Sequence, residues 1–155
     1  KPYSLKVEPI TDGKLVKAID DTYTLSVPEF DIKFDNSGKL KSLESKVSQG
    51  SIKTEFFHGP KSWSNNKLVL DRVITISGVP GSKLTIINDL EYADINGFGL
   101  PATIKVKNIA EYTVPATEKE KAKIQTKETT SILRFSKYEI NTGKAQRFIS
   151  EGLLK

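Results

Sequence analysis

Apolar and polar side chains alternate with a period of two along most of this chain, a pattern that suits a half-covered β-strand and fits a helix badly. Tyr23, Leu25 and Val27 hold odd positions, whereas Phe30, Ile32 and Phe34 hold even ones, so the pattern changes parity across Val27-Pro28. A bulge or strand break is expected there, since proline donates nothing to a ladder. Asp35-Asn36-Ser37-Gly38 carries turn chemistry and predicts a hairpin into Leu40-Lys41-Ser42-Leu43. Further on, Leu68, Leu70, Ile74 and Ile76 share one parity, with Arg72 the polar exception. Leu84, Ile86, Leu90 and Tyr92 form a second run, and Ala102, Ile104, Val106, Ala110 and Tyr112 a third. Gly78-Val79-Pro80-Gly81, Asn96-Gly97 and Gly99-Leu100-Pro101 punctuate them. Near the start, Leu5-Lys6-Val7 and Leu15 to Ile19 flank a turn at Thr11-Asp12-Gly13. The run from Thr130 to Ile140 has apolar residues on both parities, so both of its sides are expected to be covered.

This spacing predicts about eight to ten antiparallel strands. The expected fold is mostly β, a single curved antiparallel sheet forming a half-barrel or open barrel with little helix, and residues 1–155 form one domain. Pro115 to Lys123 has helix-favouring residues but too few apolar ones to anchor a packed face, so an exposed loop or loose helical turn is expected. Glu118 to Lys127 is the expected mobile stretch. Ala145 to Leu154 fits either a short amphipathic helix or a last strand.

With no cysteine and one histidine, thiol catalysis, zinc clusters and CxxC redox chemistry fall away. No apolar run approaches the roughly 20 residues of a bilayer span. A net charge of +5 suggests nucleic acid, but only Arg72, Arg134 and Arg147 among 24 basic residues are arginine. The lysines are scattered among acids, which reads as a solvated surface with no nucleic-acid partner. His58 sits beside a Gly-Pro turn with no nucleophile or orienting acid at a suitable spacing. No phosphate loop, HExxH, GxSxG or EF-hand pattern is present, so no catalytic residue, metal ligand or cofactor is expected. Phe56, Phe57 and Trp63 form the densest aromatic segment, a sugar-stacking or protein-binding patch if exposed and a plug under a loop if covered. Arg72 on an apolar parity must be paired, line a wet cavity, or face solvent while Val69 and Val73 turn inward.

Three segments carry a resemblance: Ile87-Asn88-Asp89-Leu90-Glu91-Tyr92, Asn96-Gly97-Phe98-Gly99-Leu100-Pro101-Ala102-Thr103-Ile104, and Leu133-Arg134-Phe135-Ser136-Lys137-Tyr138-Glu139-Ile140-Asn141-Thr142-Gly143. Their order over about residues 66–143 resembles the C-terminal part of the periplasmic lipoprotein-carrier (LolA/LolB-like) superfamily. The resemblance implies an antiparallel sheet curved into a half-barrel whose concave apolar side holds acyl chains. The amphipathic helices that close such a sheet have no counterpart here, so lipoprotein transport is not carried over. By parity, the expected ligand-facing residues are Phe30, Ile32, Phe34, Leu68, Leu70, Ile74 and Ile104. The chain opens at Lys1 without a signal-peptide pattern, which reads as a processed or excised piece of a longer protein. The expected function is a non-enzymatic cell-envelope protein, periplasmic or outer-membrane-associated, that binds a lipid or lipoprotein acyl chain or another apolar ligand. The alternative is a structural or adhesive surface β-domain that binds protein or glycan through loops such as His58 to Trp63.

Overall fold

A computed structural model describes residues 12–45, 50–65, 67–140, 142–144 and 146–147. Nine strands follow one another in a simple up-and-down meander, each antiparallel to the next: β1 (Lys14–Lys17), β2 (Tyr23–Ser26), β3 (Phe30–Phe34), β4 (Leu40–Ser45), β5 (Ser51–Pro60), β6 (Leu68–Val79), β7 (Ser82–Ile95), β8 (Phe98–Val114) and β9 (Lys123–Arg134). β1 and β9 do not pair, so the described strands form an open, half-barrel-like layer, and among the described residues no further strand lies beyond either edge.

Local chemistry explains the turns. Asp35 Oδ1 accepts from the backbone N–H groups of Ser37 and Lys39, both at 2.9 Å, while Gly38 takes a φ of 81° that a side chain would resist. Asn96 and Gly97 both have positive φ, as a tight hairpin between twisted strands requires, and Asp94 Oδ1 accepts from Gly97 N–H at 2.8 Å. Val27-Pro28 proves to be a strand break. β2 stops at Ser26, and Val27 N–H donates to Phe30 O at 2.9 Å to close the turn.

Three bulges re-aim the longer strands. Lys41, Asp71 and Ala102 are each an extra residue, lying beside the Lys33/Phe34, Phe57/His58 and Glu91/Tyr92 register shifts. An extra residue shares the face of its neighbour, so alternation resumes beyond it with the opposite parity.

The end of the sheet differs from the sequence expectation. β9 begins at Lys123, earlier than the Thr130 to Ile140 run, and takes in half of the stretch read as mobile. Residues 135–140 lie outside any strand, and every β9 residue is exposed, so β9 is not covered on both sides. Leu5 to Val7 and most of Ala145 to Leu154 fall outside the described residues; Ile19 lies beyond β1 and is fully exposed.

One layer gives no interior. Among the described residues no apolar side chain is buried, and only Ser42 and Ser64 are, each 8% exposed. The chain exposes 12306 Å². A compact monomer of its 17.2 kDa would expose about 7800 Å². Domains are normally built from two packed layers, so this sheet presents surface that ordinarily meets a partner layer or a ligand.

Candidate functional site

Residues directly opposite each other in an antiparallel ladder point to the same face, so the registers sort every strand residue onto one of two sides. One side carries Tyr23 and Leu25 of β2, Phe30, Ile32 and Phe34 of β3, Leu40 and Leu43 of β4, and Ile52, Thr54 and Phe56 of β5. It continues through Leu68, Leu70, Val73 and Thr75 of β6, Leu84, Ile86, Asn88, Leu90 and Tyr92 of β7, and Ile104, Val106, Asn108 and Ala110 of β8. From β2 to β8 this face holds a single charged residue, Asp94, at the β7–β8 turn where it caps Gly97. Among the described strand residues the other charges on it are at the margins, Lys17 on β1 and Lys123 and Lys127 on β9.

Every other charged residue of β2 to β8 lies on the opposite face. Ion pairs lace that side: Lys53 to Glu55 at 3.1 Å, Lys83 to Glu111 at 3.3 Å, Lys107 to Glu128 at 2.7 Å, together with Lys61–Asp71 and Arg72–Asp89. Arg72, the oddity of the sequence pattern, is thus explained. Its guanidinium sits against the Asp89 carboxylate, which raises its pKa above the ordinary arginine value, and Val73 takes the apolar face in its place.

The same bulge corrects one expected ligand residue. Leu68 and Leu70 lie before Asp71, Ile74 lies after it, and the parity they seem to share is split by the extra residue. Ile74 pairs with Glu55 and Ile87 on the charged face. Phe30, Ile32, Phe34, Leu68, Leu70 and Ile104 all fall on the charge-poor face. They are spread along the sheet, since β3 is three strands from β6 and five from β8, about 14 and 24 Å along the layer at ordinary strand spacing. Val73, Ile86, Leu90 and Val106 fill the intervening positions. Their alternation was visible in the sequence; which parity faced which side needed the registers.

At one end the charge-poor face is roofed. The loop after β5 folds around Ser64, whose hydroxyl lies 2.8 Å from Lys61 O and 2.6 Å from Lys67 O. This turn lays the Trp63 indole against Tyr92, with ring centroids 5.5 Å apart, and over Gly99. Gly99 is required there, because a Cβ would overlap the indole. Tyr92 donates to Leu70 O at 2.8 Å, and burial pushes its phenol pKa up. Tyr138 donates to Pro101 O. Trp63 is thus half-buried against Tyr92 and Gly99, between the two readings its sequence allows, while Phe57, on the charged face, is 45% exposed.

A hollow of about 440 Å³ opens on the charged side, lined by Lys33, Lys41, Lys53, Asp20, Glu55 and Phe57 among others. Its lining mixes lysines with carboxylates, and Lys53 is already paired with Glu55. His58 lies opposite Leu70 on the charge-poor face. Among the described residues no cluster of histidine and acidic side chains is arranged to hold a metal ion, and no helix is long and apolar enough to cross a membrane.

Comparison with protein families, curated proteins and solved structures finds no match to this chain. The likeness to the lipoprotein carriers rests on the residues quoted above and on nothing else.

Proposed function

We propose that this protein is a non-enzymatic component of the cell envelope, periplasmic or outer-membrane-associated, that binds a lipid or lipoprotein acyl chain or another elongated apolar ligand along the charge-poor face. The observation that carries this reading is the segregation of charge: apart from Asp94 at the β7–β8 turn, strands β2 to β8 put their charged groups on one side and leave hydrocarbon, hydroxyl and amide groups with the His58 imidazole on the other. A side exposed only to water has no need of that sorting. The binding is expected to be weak for a single chain. A myristoyl group sunk in a bilayer gains an association constant of only about 10⁴ M⁻¹, and an open face covers one side of the chain. Ligands with two chains are therefore favoured. The alternative of an adhesive loop has less support, because the Trp63 indole is already engaged by Tyr92 and Gly99.

Native mass spectrometry after mild purification, followed by organic extraction and lipid analysis, tests the reading. Adducts of lipid mass that disappear in Ile86→Asp are expected. A clean apo mass together with no uptake of added two-chain lipid would overturn it.

A further inference from the structure

We infer that β9 is a homotypic docking edge, through which two copies of this chain join β9 to β9 in antiparallel fashion and continue the sheet. Among the described residues the sheet has two unpaired edges of different design. β1 is four residues long, a length that limits edge pairing by itself. β9 runs for twelve residues, from Lys123 to Arg134, without proline, glycine or bulge, and all of them are exposed. Phe135 N–H donates to Ala102 O at 2.9 Å, so the odd-numbered residues of β9 aim their backbone groups at β8. The even-numbered ones, Ile124, Thr126, Glu128, Thr130, Ile132 and Arg134, aim theirs outward as an unpaired row.

The sequence of this edge chooses its partner. In a two-fold pair of identical antiparallel strands, a residue and its mate must share a face, so the axis passes through a residue position. An axis at Lys127 sets lysine against lysine, and one at Glu128 sets glutamate against glutamate, both unfavourable. An axis at Thr129 opposes no like charges and keeps the longest overlap, Ile124 to Arg134 in both copies. It pairs Thr129 with itself, Glu128 with Thr130, Lys127 with Ser131, Thr126 with Ile132 and Gln125 with Leu133. Lys127, which would hinder a foreign apolar strand, meets a hydroxyl instead. The axis stands perpendicular to the sheet, so both charge-poor faces lie on one side. The inference does not depend on what that face binds.

Thr129 occupies a position whose backbone groups point away from the partner, where opposed Cα atoms lie about 4.5 Å apart, within disulfide range. The chain has no cysteine, which makes the test clean. Sedimentation of the unmodified protein over a concentration series is expected to reach twice 17.2 kDa. Thr129→Cys is expected to form a covalent dimer under mild oxidation, while Ser37→Cys on the β3–β4 turn remains monomeric. Thr130→Pro removes one outward N–H without touching the β8 ladder and is expected to weaken dimerisation at least tenfold with the fold retained by circular dichroism; Thr130→Val should leave it intact. A protein that stays monomeric at every concentration, or a Thr129→Cys that cross-links no faster than Ser37→Cys, overturns the inference.

Discussion

The two faces of this sheet are made by the same strands, often by adjacent residues, yet they solve different problems. Ile86 and Ile87 are neighbours in β7 and both are half-buried. Ile86 stands opposite Thr75 and Asn108, in a field of hydrocarbon and neutral polar groups; Ile87 stands opposite Ile74 and Lys107, beside the Lys107–Glu128 ion pair. The two faces are covered to a similar degree and differ in their neighbours: the isoleucines of the charged face stand among ion-paired long side chains, whose stems can lie along apolar surface. The other face has neutral neighbours throughout its centre and a roof at the Trp63 corner. The charge-poor face is thus roofed at one end and open elsewhere, and the proposed binding reading rests on that open part.

That contrast can be broken at its roofed end first. Trp63→Ala removes the indole from Tyr92 and Gly99 and is expected to destabilise the fold by about 2–3 kcal/mol, less than the about 3–5 kcal/mol for a fully buried tryptophan. Thermal denaturation should show it as a fall of about 5–10 °C. An unchanged midpoint would mean that the loop is an ornament. Gly99→Ala pushes a methyl into the same ring and is expected to cost about 1–3 kcal/mol in the same assay, an overpacking penalty that Gly99→Ala combined with Trp63→Ala should relieve.

The bare part is tested by the neighbouring isoleucines. Ile86→Asp places a charge on the charge-poor face and is expected to weaken binding of a fluorescent acyl-chain probe by about tenfold, equivalent to about 1.4 kcal/mol, while Ile87→Asp leaves it within about twofold. Equal losses would erase the distinction between the faces.

Reading the faces from sequence succeeded where alternation was unbroken and failed where a single inserted residue reset it. The antiparallel strands, the Asp35 to Gly38 and Asn96-Gly97 hairpins and the scarcity of helix are all written in local patterns of two to four residues. Phe30, Ile32 and Phe34 fall on one face because β3 is regular. In sequence Ile74 groups with Leu68 and Leu70 because Asp71 looks like an ordinary polar position in a strand; only pairing with β5 reveals it as the extra residue, and no local rule marks a bulge without glycine. The sequence pattern starts the last strand too late because Lys123 to Lys127 resembles a solvated linker, a segment that becomes a strand by pairing with residues 110–114 of β8. The spread of the face across several strands was equally hidden, since distance across a sheet depends on strand order.

The smallest effects belong to the charged side and the turns. Adding salt should weaken the Arg72–Asp89 and Lys107–Glu128 pairs with little change in midpoint, since exposed pairs contribute little. Asp35 is held below the usual carboxylate range, first by the Ser37 hydroxyl and then by the Lys39 and Ser37 N–H groups. A carboxyl depressed on folding contributes stability that is complete above its unfolded value, near 3.8, and is lost as pH falls through the lower folded one. Between about pH 5 and pH 2, Asp35→Asn should therefore lose slightly less stability than the parent protein, as read by thermal melts. An identical pH dependence would remove Asp35 from the account.

The claim that the charge-poor face is the binding surface meets its most direct test in methyl NMR during titration with a two-chain lipid. Resonances of Val73, Ile86, Leu90, Ile104 and Val106 should shift or broaden together, while those of Ile74, Ile76, Ile87 and Ile109, on the opposite side of the same strands, stay in place. Perturbation confined to the second group, or none in either, would contradict it.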